Sequence, residues 1–95
     1  MNDVVKLQSE VAKGTDAGRL LDDPIFNDTF GFLKTTYRTA WEQTSIEDSQ
    51  RRENLWVMYK TAETLRAHIE TYVNTGKLAK KQIEEINGER KNALW

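Results

Sequence analysis

Leu55, Met58, Ala62, Leu65, Ile69 and Tyr72 recur at alternating spacings of three and four. That rhythm lays apolar side chains along one face of an α-helix. Upstream, Phe26, Phe30, Leu33, Tyr37, Ala40 and Trp41 keep a similar rhythm and form a second stripe able to face the first. No stretch shows the strict alternation of a strand. The two stripes predict an all-α chain built on an antiparallel helical hairpin, with short flanking helices.

Punctuation residues set the expected boundaries. Asp23 precedes Pro24, the sole proline; an aspartate N-cap followed by proline in the first turn opens a helix there. Gly31 weakens that helix by about 1 kcal/mol relative to alanine. Thr44-Ser45 breaks the pattern, and Ser45 or Ser49 can cap the next helix, with Glu47–Arg51 and Asp48–Arg52 in the favourable order for i,i+4 pairs. Thr75-Gly76 reads as a helix stop, glycine suiting a left-handed C-cap. A short third helix is expected at Leu78–Ile86, ended by Asn87-Gly88. Near the N-terminus, Val4, Leu7 and Val11 make an amphipathic turn that Gly14 interrupts, and Thr15 caps a further turn carrying Ala17, Leu20 and Leu21. The expected organisation is residues 1–23 as an N-terminal helical segment, 24–76 as the hairpin core and 77–95 as a short helix and tail.

Composition bounds what such a chain can do. Of 95 residues, 38% are hydrophobic and 31% charged, which leaves a thin core for a small domain. Two helices cannot hide both faces of a long hairpin, so additional support is expected, and a second copy is the favoured source. Fourteen basic and 15 acidic residues argue against a general nucleic-acid coat. Without cysteine there is neither a disulfide frame nor thiolate chemistry. No apolar run approaches the roughly 20 residues of a membrane span, and Met1–Lys6 lacks a signal-peptide layout; a soluble protein is expected.

The chemistry-bearing residues read blandly. Gly76-Lys77 superficially matches a phosphate loop, but position 71 is Thr71 and a helix, not a strand, precedes the pair. His68 is the single histidine, whereas zinc gathers three or four ligands. Glu84 and Glu85 are helix neighbours that point apart. No nucleophile–base set is recognisable, so no enzyme, cofactor or metal site is expected. Aromatic residues carry more: Trp56, with Tyr59 and Val73, widens the second stripe beyond what the first can cover, and Trp95 is a candidate anchor. The expected protein interface is Leu55, Trp56, Tyr59, Leu65, Tyr72 and Trp95. Arg51, Arg52, Lys80 and Lys81 are the candidate phosphate contacts.

The segments Asp23-Pro24-Ile25-Phe26-Asn27-Asp28-Thr29-Phe30, Tyr37-Arg38-Thr39-Ala40-Trp41, Arg52-Glu53-Asn54-Leu55-Trp56, Arg66-Ala67-His68-Ile69-Glu70 and Gly76-Lys77-Leu78-Ala79 resemble a family of small, uncharacterised helical proteins of tailed bacteriophages and prophages. The similarity runs from about Leu20 to Ile86. It implies a phage origin and a helical hairpin, and transfers no active-site residue. The expected role is a non-enzymatic phage structural or assembly component, self-associating or docked on a larger virion protein, in the host cytoplasm during infection or in the virion. A DNA-binding packaging accessory resembling a small terminase subunit is the second reading, and a small inhibitor of a host protein the third.

Overall fold

The computed structural model describes residues 2–93, with side chains for residues 3–89. It contains three α-helices: α1 (Asn2–Asp22), α2 (Pro24–Glu42) and α3 (Ser49–Ala93). The described residues include no strand.

The start of α2 is as the sequence predicts. Asp23 is extended, its carboxylate accepts from the Phe26 N–H at 2.9 Å, and Pro24 fills the first turn. Asn27 ties the preceding chain down, its Nδ2 donating to the carbonyl oxygens of Leu21 at 2.8 Å and Asp23 at 3.1 Å. At the start of α3, Asp48 takes the N-cap position, its carbonyl accepting from the Arg52 N–H at 2.9 Å.

The predicted breaks at Gly14, Gly76 and Gly88 are not breaks. α1 passes through Gly14 and α3 through both Gly76 and Gly88, and no glycine has positive φ. The expected separate helix at Leu78–Ile86 is the continuation of α3. Residues 77–86 are mostly Leu, Ala, Lys, Gln and Glu, all good helix formers, and they carry the helix past a glycine whose local cost is small.

Contacts gather the chain into two compact units, α1 to Leu20 with α3 from Ile69 onward, and Leu21–His68. These boundaries differ from a core at 24–76, because α3 contributes to both units without interruption. In the first unit α1 and α3 pair in opposite order: Leu7 shares a hollow with Ile86, Gly14 meets Gly76, and Leu20 shares a hollow with Ile69. Ala17 and Ala79 are buried beside the glycines. A methyl group on Gly14 would sit 2.9 Å from the Gly76 Cα and 2.9 Å from the Tyr72 carbonyl oxygen. Glycine is therefore required at this crossing for closeness of approach, not for a turn.

In the second unit α2 also pairs with α3 in opposite order. Asn27 accepts from Arg66 at 3.0 Å, Lys34 meets Glu63 at 3.1 Å, and the Arg52 guanidinium lies 4.2 Å from the Trp41 ring. Phe30 is the largest buried side chain of the core, and it stacks on Phe26 at 5.9 Å.

Candidate interaction surface

The stripe that α3 turns inward differs from the predicted one by half its members. Ala62 is buried, and Leu55 and Ile69 are half-buried, as expected. The residues alternating with them on the inner face are Tyr59, Arg66 and Val73, all half-buried, whereas Met58, Leu65 and Tyr72 are exposed. Both sets lie beside the line 55–62–69, one on each flank. Tyr59 and Val73 were expected to widen the stripe; Arg66 was not, because it lays an apolar stem inward while its guanidinium meets partners. The Arg66 guanidinium covers the Phe30 ring at 5.5 Å and donates to Asn27.

One side of the Leu21–His68 unit is aromatic and cationic. Tyr37, Arg38, Trp41, Leu55, Trp56 and Tyr59 line a groove of about 210 Å³. Trp56 stacks on Tyr59 at 6.4 Å with an interplanar angle of 17°. Lys60 sits 4.8 Å from the Trp56 ring centre and Lys34 5.1 Å from that of Tyr59, positions in which the ring's negative face attracts a cation. Glu63 lies between the two lysines, 3.1 Å from Lys34 and 3.3 Å from Lys60. Hydrogen bonds from Lys34 and then Lys60 hold its carboxyl below the usual carboxylate range, and the same bond raises the Lys34 ammonium.

The opposite side of the same unit is different in kind. Counting about 100° per residue, Lys34 and Glu63 each stand about 80° to one side of their seams. Ile25 and Phe32 on α2, and Met58 and Leu65 on α3, fall on the other side. All four are exposed, Phe32 at 73% and Leu65 at 54%. Thr36 and Thr61 lie among them, and their hydroxyls donate back to the Phe32 and Val57 carbonyls at 2.8 and 2.7 Å. A threonine whose hydroxyl is satisfied by its own helix adds a methyl group to the face it lies on.

The expected interface residues are thus dispersed. Leu55 and Tyr59 are half-buried on the inner side of α3. Trp56, 51% exposed, belongs to the aromatic, cationic side, and Leu65 to the other. Tyr72 is in the first unit, beside a hollow lined by Lys13, Asp16, Ala17, Leu20 and Ile69. Trp95 lies outside the described residues. Among the candidate phosphate contacts, Arg52 is committed to Trp41 and to Thr44 Oγ1, at 2.8 Å, in place of the expected Asp48. Arg51, Lys80 and Lys81 are exposed, Lys80 at the edge of a hollow it lines with Val11 and Thr15 of α1. Ile25 and Phe32 were missed, although their spacing of seven residues, with Thr29 and Thr36 in phase, was visible in the sequence.

Among the described residues, no group of three or more His, Cys, Asp or Glu is placed to hold a metal ion, and no helix is long and apolar enough to cross a membrane. A scan against protein-family models, a search of curated proteins and a search of solved structures find no match to this chain.

Proposed function

We propose that this chain is a non-enzymatic structural or assembly component of a tailed phage, acting by burying helix faces of its antiparallel hairpin against copies of itself or a larger virion protein. One observation carries the assembly part of this reading. Among the described residues the buried hydrophobic core is Ala17, Phe30, Ala62 and Ala79, and no large side chain is fully enclosed. Three alanines and one phenylalanine supply little of the apolar burial that offsets chain entropy. The phage setting rests on the resemblance of residues 20–86 alone.

The packaging reading has less support, because Arg52 is already occupied by Trp41 and Thr44. Light scattering of the purified chain, with mass spectrometry of purified particles, tests the proposal. Self-association together with recovery in particles is expected. A monomer at high micromolar concentration that is also missing from particles overturns it.

A further inference from the structure

We infer that Asn87-Gly88 is a site of spontaneous covalent modification: the Gly88 backbone nitrogen displaces ammonia from the Asn87 side chain, and the isoaspartate that follows ends α3 at Ile86. The pair was expected to stop a helix, and α3 instead runs through it to Ala93. Glycine carries no Cβ, so its peptide nitrogen is the least hindered nucleophile that can follow an asparagine. In the first step Gly88 N gives up its proton and bonds to Asn87 Cγ, while the Cγ–Nδ2 bond breaks and ammonia leaves. Water then opens the cyclic imide. Cleavage between the nitrogen and Cγ yields aspartate. Cleavage between the nitrogen and the main-chain carbonyl carbon of Asn87 yields isoaspartate, whose main chain runs through Cβ and Cγ.

Two observations single out this asparagine among those with described side chains. The first is its freedom. Asn27 is held at both ends, its Nδ2 donating to the Leu21 and Asp23 carbonyls and its Oδ1 accepting from Arg66. Asn54 accepts from Gln50 at 3.0 Å and precedes Leu55, and Asn74 precedes the β-branched Thr75. Asn87 is exposed, has no hydrogen bond to a described residue, and precedes glycine. The second is light anchoring. In a helix the Gly88 N–H is given to the Glu84 carbonyl, so attack waits for that bond to open. Glu84, Glu85, Asn87, Gly88 and Glu89 are all exposed, leaving Ile83 and Ile86 half-buried, and a glycine weakens a helix interior. Few buried contacts and exposed backbone bonds set local opening well below global unfolding in cost. The extra main-chain carbon of isoaspartate breaks the i→i−4 ladder, and the new carboxylate stands three residues after Glu84, a like-charge pair. Ile86 and Glu89 line a hollow with Asp3, Lys6 and Leu7 of α1, and Glu89 leaves it when the ladder breaks.

The full chain, held at physiological temperature and neutral pH both folded and in urea, tests this by tandem mass spectrometry with chromatographic separation of the two products. In the folded chain, conversion is expected at Asn87 before Asn27, Asn54 or Asn74, about 3- to 100-fold more slowly than in urea. Gly88→Ala, which meets no atom within 4 Å, is expected to slow it at least about tenfold by hindering the nitrogen and strengthening the helix. Asn87→Gln is expected to abolish it, because the longer side chain closes a larger, disfavoured ring. Hydrogen exchange of the aged chain is expected to show lost protection at residues 87–89. A folded chain that keeps Asn87 intact beyond about 100 times the half-time in urea, that converts another of these asparagines first, or that converts equally fast with Gly88→Ala, overturns the site. Isoaspartate at position 87 with protection of residues 87–89 unchanged overturns the shortening of α3.

Discussion

The two units solve the same problem, pairing an antiparallel helix against α3, with opposite materials. In the unit containing α1, the helices meet through what is missing: Gly14 lies against Gly76, with Ala17 and Ala79 alongside, and backbone atoms are the contact. In the Leu21–His68 unit the helices meet through what is added: stacked rings, guanidinium groups over aromatic faces, and a carboxylate shared by two lysines. The first solution gains close dispersion contacts and tolerates no extra volume. The second bridges a wider gap with long side chains, leaving rings and stems partly in water. Added atoms should therefore damage the first unit, and removed atoms the second.

Truncation of Phe30 is the strongest probe of the second unit. Phe30→Ala is expected to cost about 3 kcal/mol, a fall in Tm of at least about 12 °C by circular dichroism at fixed protein concentration. A shift below a few degrees would show that ring packing does not hold α2 to α3. Next is Gly14→Ala. Its methyl meets backbone at 2.9 Å on two sides, so strain outweighs the better helix propensity, and a net loss of about 1–2 kcal/mol is expected in urea titration. The same substitution at Gly31, where nothing lies within 4 Å of the added atom, should stabilise by about 0.5–1 kcal/mol. Opposite signs for one chemical change would express the contrast between the units directly; equal signs would dissolve it.

The smallest effect is that of pH. Because the folded Glu63 carboxyl is held low by Lys34 and Lys60, its stabilisation is complete above the ordinary carboxylate pKa and is lost as pH falls through the lowered value. The raised Lys34 ammonium gives the converse: its contribution is complete below 10.5 and is lost as pH rises through the raised value. Lys34→Met should flatten the acid slope of a pH series of urea midpoints, with hydrogen exchange localising the change to residues 21–68. An unchanged slope would remove the ion pair from the account of that unit.

The sequence made some of this visible and concealed the rest for identifiable reasons. Asp23-Pro24 is a local signal, complete within four residues, and it held to the atom. The line Leu55–Ala62–Ile69 was legible because all three are apolar, but its flank was assigned by hydrophobicity alone, which ranks Leu65 above Arg66. A half-buried arginine covering a phenylalanine ring shows how a polar residue can outrank a leucine for the inner position. Gly14 and Gly76 were read as stops because propensity counts what glycine costs one helix and is blind to a partner distant in sequence. Leu65 was named as an interface residue, but Ile25 and Phe32 escaped because the period of α2 was read for its inner face alone.

The Gly14–Gly76 crossing also constrains the routes by which this chain can change. Every other amino acid carries a Cβ, so no nucleotide change that replaces either glycine can avoid placing an atom where backbone already stands. A saturation library selected for folding should show two closed columns at these positions, beside open ones at Gly18, Gly31 and Gly88, where the added atom meets nothing within 4 Å. Drift can rewrite most of the surface of α1, but at the crossing it has no neutral step to take.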